Sequence, residues 1–178
     1  MIELSLDSIE SPIGTILVVT DSESLCALDF ADYETRMHML LNRRFKQIEL
    51  RSIKNPLAMR DRLAAYFNGN LTELDTIPVN PGGTEFQQRV WLGLRSIPAG
   101  SAWSYRQLAV QLGNSKAVRA VGMANSLNPI AIVLPCHRVI GANAQLTGYA
   151  GGLARKRWLL HHEGVKLNLP ASNQLALF

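Results

Sequence analysis

Residues 78–83 read Pro-Val-Asn-Pro-Gly-Gly, and this run limits the fold more than any other. Proline lacks the N–H that a helix or sheet ladder needs, and glycine is the residue most costly to order. Pro78, Asn80, Pro81, Gly82 and Gly83 therefore belong to a linker, and Asn68, Gly69 and Asn70 extend the same turn chemistry upstream. The pattern predicts two domains, residues 1–78 and 79–178. At 47% hydrophobic content the chain can pack a core in each.

The first domain reads as a small α+β unit. Ile13 to Thr20, a polar turn at 21–24, and Leu25 to Phe30 predict a β-hairpin. Met37, Leu40, Leu41 and Phe45 recur at helical spacing over 34–45, as do Leu63, Ala64 and Phe67 over 57–67.

The second domain is mostly helical. Thr84 and Gln87 form a capping-box pair ahead of Phe86, Val90, Trp91 and Leu94, and Ile97 to Gly100 stops that helix. Ser104 and Gln107 cap a second helix carrying Leu108 and Leu112. Gly113, Asn114 and Ser115 turn the chain, and a third helix is predicted from Lys116 to about Leu127. Helix, glycine turn, helix is the helix-turn-helix pattern. Two core helices joined by a tight turn give the same pattern. The third helix is unusual for a reader of base edges, because Ala117, Val118, Ala120, Val121, Gly122, Met123 and Ala124 are small or apolar around one long cation, Arg119. Small side chains allow close approach of a partner, and a lone arginine among them suits a wedge.

Charge distribution points the same way. The chain carries 18 Lys plus Arg against 14 Asp plus Glu, a formal +4. From Arg89 to Arg157 there are nine Lys or Arg and no carboxylate, which suits a polyanionic partner. No apolar run approaches the roughly 20 residues that span a bilayer. Met1, Ile2 and Glu3 open neither a basic nor an apolar leader, so a cytoplasmic protein without membrane contact is expected.

Two cysteines stand far apart, and neither a disulfide framework nor a CxxC pair is present. Cys26 lies among Leu25, Ala27, Leu28 and Phe30, which suits a core position. Cys136 follows the apolar run 130–134, predicted as a buried strand, and precedes His137 and Arg138. Electropositive surroundings favour a thiolate nucleophile. His137 as a base needs a turn or a bridging water to reach its neighbour, and an orienting carboxylate. After Glu85 the next carboxylate is Glu163, at the end of a helix over 153–163 capped by Gly164, so a Cys, water, His, Glu relay is expected. Gly148, Tyr149, Ala150, Gly151 and Gly152 make a loop that could close over a flat ligand. The dozen residues after Lys166 are expected to fray.

Pro135-Cys136-His137-Arg138-Val139, with Asn128-Pro129 upstream and Gly148-Tyr149 downstream, resembles the active-site signature of the O6-alkylguanine-DNA alkyltransferases. Ser104-Tyr105, the run Lys116 to Gly122, and the run Trp158 to Gly164 are similar as well, so the resemblance covers about residues 84–167. It implies a winged-helix-like domain that binds duplex DNA from the minor groove and rotates a damaged nucleotide into a pocket. Cys136 would accept the alkyl group, His137 act as base through water, and Glu163 orient His137. Asn128 would support the active-site turn, and Tyr105 would assist extrusion and protonate the leaving guanine. Arg119 would fill the vacated stack and Tyr149 line the alkyl pocket. Ser104, Lys116, Ala120, Gly122 and Arg138 would contact DNA or substrate. Transfer would be irreversible and once per molecule, with O4-alkylthymine a second candidate substrate. A monomer needing no cofactor and no metal is expected, since only Cys26 and His38 are available as N-terminal zinc ligands. There is no cysteine-rich metal domain for phosphotriesters, so no transcriptional role is expected. The acceptor cysteine that alkyltransferase-like proteins replace is present.

Two other classes compete. A cysteine hydrolase using Cys136 and His137 leaves the acid-free basic window and the helix-turn-helix unexplained. A DNA-binding module without chemistry explains both and leaves the cysteine idle.

Overall fold

The computed structural model describes residues 1–167, so most of the segment expected to fray lies outside the described residues. The chain forms two compact units. One is Met1–Gly83 together with Pro129–Val133; the other is Thr84–Asn128 with the described residues from Leu134 on. The first unit thus runs past the boundary expected at residue 78. Leu25 N–H donates to Pro78 O and Asn80 N–H to Leu25 O, which lays the linker along a sheet strand.

In the first unit the expected hairpin forms from β2 (Ile16–Thr20) and β3 (Leu25–Phe30), but the sheet has four strands in the order β3-β2-β1-β4. Strand β1 (Ile2–Ile9) is antiparallel to β2 and parallel to β4 (Ile48–Ser52). Both extra strands open Ile-Glu-Leu, and the register stacks Glu3 on Glu49; Arg51 bridges the two like charges at 3.2 and 3.3 Å. All residues of β2 and β3 are buried, as in strands covered on both faces. Helix α1 (Glu34–Arg44) contributes Met37 and Leu41 to a core with Leu4, Leu17, Val19 and Ala27. Helix α2 spans Met59–Phe67 and starts later than the expected 57, because Leu57 and Ala58 have positive φ.

The second unit contains α3 (Glu85–Gly93), α4 (Tyr105–Gln111), α5 (Val118–Ser126) and α6 (Leu153–His162). Two short parallel strands, β5 (Trp103–Ser104) and β6 (Val139–Ile140), pair beside them. Both expected capping boxes are present, at Thr84 with Gln87 and at Ser104 with Gln107. Gly113, at φ 78°, turns α4 towards α5, which begins at Val118, two residues beyond the expected start. Trp91 Nε1 donates to Ala124 O at 2.7 Å and ties α3 to α5. Among the described residues no helix is long and apolar enough to cross a membrane.

Residues 130–134 are buried but do not form the predicted strand. Ile130 makes a single bridge to Leu28, and then Val133 N–H donates to Ala131 O across Ile132, whose φ is 68°. That is the rarer, positive-φ γ-turn, and a β-branched residue there costs about 1–3 kcal/mol. A strand cannot continue through it.

Candidate active site

A second tight turn delivers the cysteine. Cys136 N–H donates to Leu134 O at 2.7 Å across Pro135, at φ −79° and ψ 66°, an inverse γ-turn that proline's fixed φ favours. Asn128, 2% exposed, donates from Nδ2 to Leu134 O at 2.8 Å and so joins the end of α5 to the start of this turn. Cys136–Arg138 then form one turn of 3₁₀ helix. Side chains there fan out about 120° apart rather than alternating, which removes the objection that sequence neighbours on a strand point apart.

All three side chains of that turn are buried, and two of them converge on Glu163 at the end of α6. His137 Nε2 lies 2.9 Å from Glu163 Oε1. Arg138 donates from Nη2 to the same oxygen and from Nε to Oε2, both at 2.9 Å, and from Nη1 to Ile97 O at 2.7 Å. Burial opposes ionisation of Glu163, but the His137 and Arg138 contacts outweigh it and hold the carboxyl well below the usual carboxylate range. Burial likewise depresses His137, despite the attraction of Glu163, so the imidazole is neutral at neutral pH. With Nε2 on Glu163, Nδ1 is left as the ring nitrogen without a hydrogen-bond partner among the described residues.

Arg138 was expected to contact DNA. At 4% exposure, with its guanidinium on Glu163 and Ile97, it cannot reach a phosphate and instead anchors the carboxylate. Ser104 caps α4 as expected, its hydroxyl accepting from Gln107 N–H at 3.1 Å, and its own O–H is left to donate elsewhere.

Cys136, Tyr105, Gly122, Asn125 and Tyr149 line one cavity of about 260 Å³, walled on one side by residues 147–150. A methyl group at Gly122 would meet Tyr105 at 3.7 Å, an ordinary contact, so packing alone does not demand glycine there. Arg119 and Ala120 are exposed on α5, and Lys116 is exposed just before it; neither Arg119 nor Lys116 has a hydrogen bond or ion pair to a described residue.

Lys156 was singled out by nothing in the sequence and counts there only among the nine basic residues of the acid-free window. It is fully buried on the face of α6 defined by Lys156, Leu159, Leu160 and Glu163, a helical spacing that could have revealed it. Its Nζ donates to Val139 O, Thr147 O and Gly148 O at 2.6, 2.8 and 3.3 Å. Burial brings the ammonium down to about 8, partly opposed by Cys136. In Lys156→Met, relief of roughly 3 kcal/mol of burial cost offsets carbonyls left unpaired at about 1–3 kcal/mol each. Three carbonyls at that cost match or exceed the relief, so the melting temperature should fall, by up to about 20 °C, while amide exchange over 147–150 accelerates about tenfold or more. Unchanged exchange there would mean that Lys156 does not hold the cavity wall.

Cys26 is core, 1% exposed, its thiol pushed up to about 11 mainly by burial. His38 is occupied by Glu34. Among the described residues no group of three His, Cys, Asp or Glu is placed to hold a metal ion.

Comparison with known proteins matches both units. The profile of the 6-O-methylguanine DNA methyltransferase ribonuclease-like domain covers residues 6–81, and that of the DNA binding domain of the same family covers 85–165. The methylated-DNA–protein-cysteine methyltransferase of Salmonella typhimurium is 50% identical over 170 residues, 94% of this chain and 99% of its own. The crystal structure of Mycobacterium tuberculosis OGT in complex with DNA superposes with a TM-score of 0.76 at 42% identity, covering 92% of this chain and 93% of the other. The O6-methylguanine-DNA methyltransferase of Pyrococcus kodakaraensis gives a TM-score of 0.70 at 26% identity, over 91% and 99%. With both of its units matched and half its residues shared with such a relative, the chain belongs to the O6-methylguanine DNA methyltransferase family.

Proposed function

We propose that this protein repairs DNA by moving the alkyl group of an O6-alkylguanine onto Cys136, once per molecule. The observation that carries the proposal is that Cys136 lines a cavity shared with two tyrosines and adjoins in sequence a buried His137 that is held by an ionised Glu163. The curated names of relatives up to 50% identical support the same chemistry, and the DNA complex of the M. tuberculosis relative supports DNA as the partner.

The thiol proton passes through a bridging water to His137 Nδ1, the ring nitrogen that Glu163 leaves available. Glu163 fixes the tautomer, and Arg138 keeps Glu163 ionised. The thiolate attacks the alkyl carbon, a C–S bond forms, and the bond from that carbon to O6 breaks. The guanine departs as an anion and takes up a proton, for which the Tyr105 hydroxyl is the proposed donor, since Tyr105 lines the same cavity as Cys136. No electrons enter from outside. The product is a thioether, which water does not cleave at neutral pH, so each molecule reacts once. Asn128 holds the turn that presents the sulfur.

For a base to reach Cys136 it must leave the stack. The exposed face of α5, with Arg119, Ala120 and Met123, is proposed to enter the minor groove, where small residues allow close approach and Arg119 occupies the vacated position. Lys116 is proposed to contact backbone phosphate, and Tyr149 to line the alkyl pocket.

Mixing the protein with a duplex oligonucleotide bearing one O6-methylguanine should add one methyl to Cys136, seen by intact-protein mass spectrometry with peptide mapping, and the gain should stop at one. Cys136→Ser should gain none. Repeated turnover, or a methyl on Cys26, would overturn the proposal; a folded wild type without any gain would favour a damage-binding module.

A further inference from the structure

No charge follows Lys166 in the chain, and residues 168–173, Asn-Leu-Pro-Ala-Ser-Asn, have the composition of a spacer. Gln174-Leu175-Ala176-Leu177-Phe178 comes next, one amide followed by four apolar residues. The two family profiles stop at 81 and 165, and 94% of this chain covers 99% of the Salmonella typhimurium relative, so neither domain accounts for this stretch. Consecutive apolar side chains without a neighbouring charge are a liability unless a partner covers them. Glutamine, leucine and a leucine–phenylalanine pair complement a groove with a polar notch and apolar pockets beyond it, where a few anchor side chains carry the affinity.

The end of α6 limits where such a partner can stand. Gly164 N–H donates to His161 O and Val165 N–H to Leu160 O, both at 2.9 Å, with Gly164 at φ 83°. This Schellman motif closes the helix at Glu163, the residue that holds His137, and Lys166 just beyond it is exposed. From Leu167 to Gln174 the chain spans at most roughly 25 Å. A partner on residues 174–178 is therefore held beside the domain proposed to lie on DNA. It must stay on the duplex and accept any base sequence, and a ring protein that encircles duplex DNA does both.

We propose that residues 174–178 are a docking peptide for a sliding clamp, a ring that encircles duplex DNA, and that they tether this protein to the duplex it repairs. The inference rests on the repair reading above and adds a protein partner to it. Tethering makes the search for damage partly intramolecular, which raises the effective concentration of DNA without any new contact at Cys136.

The test titrates the full chain with a purified bacterial sliding clamp by calorimetry, without DNA. Wild type should bind, and Leu177→Ala with Phe178→Ala should weaken binding about tenfold or more through loss of two anchors. Gln174→Ala keeps the apolar content and should weaken it roughly 3- to 10-fold, the range of one neutral hydrogen bond. On a circular duplex with one O6-methylguanine, a loaded clamp should speed methyl transfer to limiting wild type about tenfold or more and leave the double variant unaffected. On a short linear duplex without a clamp, all three proteins should react alike. No binding by wild type, or undiminished binding by either variant, overturns the proposal, as does self-association through residues 174–178 in place of clamp binding. Binding without acceleration removes the tether. Absence of methyl transfer from the short duplex to wild type would instead remove the repair reading, which the titration with the clamp does not touch.

Discussion

Arg138→Met should cost about 3–5 kcal/mol of stability and lower Tm by on the order of 10 °C. The substitution keeps most of the volume and removes both guanidinium contacts to Glu163 and the one to Ile97 O. A buried carboxylate is left with a neutral imidazole as its remaining named partner, and an uncompensated buried charge costs more than the pair contributes. Arg138→Lys should recover little, since a single ammonium cannot serve both carboxylate oxygens and a carbonyl from one side. The pH dependence identifies the cause. In wild type the Glu163 pKa lies well below its ordinary 4.5, so its contribution is fully present above about pH 4.5 and is lost progressively as pH falls from there towards the depressed folded value. Without Arg138 burial dominates and raises that pKa above the unfolded value, so the folded variant takes up the proton more readily. The gap between wild type and Arg138→Met should therefore be widest near neutrality and narrow on acidification. A gap independent of pH would show that the loss comes from packing around Arg138 and not from the charge of Glu163.

The same geometry explains why the signature holds together as a unit. His137 and Arg138 are adjacent in sequence because a single 3₁₀ turn sends both to one carboxylate, while Cys136, at the start of that turn, is directed to the cavity. Arginine neutralises the carboxylate permanently, which leaves the histidine free to gain and lose a proton. Burial keeps His137 neutral, and the neighbouring positive charge of Arg138 adds to that, so the base stays available.

What was legible in the sequence was local. The capping boxes at Thr84 and Ser104, the glycine turn at Gly113 and the C-cap at Gly164 each act within a few residues, and the structure places all of them as expected. Strand β4 was missed because its pairing with β1 joins residues more than forty apart; β1 was missed although Ile2-Glu3-Leu4-Ser5-Leu6 alternates at the period of a strand and its ladder to β2 is local. The run 130–134 misled because apolar content reports burial and not conformation; nothing local announces an isoleucine at positive φ. Charge misled in a similar way. Arg138 and Lys156 looked like surface cations within an acid-free basic window, whereas both are buried, one on a carboxylate from a distant helix and one on three carbonyls. Cys136, Tyr105, Gly122 and Tyr149 were singled out and share one cavity; Asn125, in the same cavity, was not, because an asparagine within a helix carries no signal until its surroundings are known.

Arg119→Ala should slow repair of an O6-methylguanine duplex by roughly 30- to 150-fold and leave reaction with free O6-alkylguanine base almost unchanged. Extrusion of a stacked base costs a few kcal/mol, and a side chain that fills the gap returns part of that cost; losing about 2–3 kcal/mol of it gives that range of rates. Arg119 is suited to the task because it is exposed, makes no hydrogen bond or ion pair to a described residue, and projects from a helix whose neighbouring exposed residue, Ala120, is small. It does not line the cavity, so removing it leaves the chemistry at Cys136 intact. A single-stranded oligonucleotide, with less stacking to disrupt, should fall between the two substrates. Arg119→Lys keeps the charge and loses the planar fork, so it should retain most of the salt-dependent affinity for DNA while recovering little of the duplex rate. Equal losses on duplex and free base would place Arg119 in the support of the cavity, and full recovery by lysine would make it a phosphate contact; either result removes the wedge.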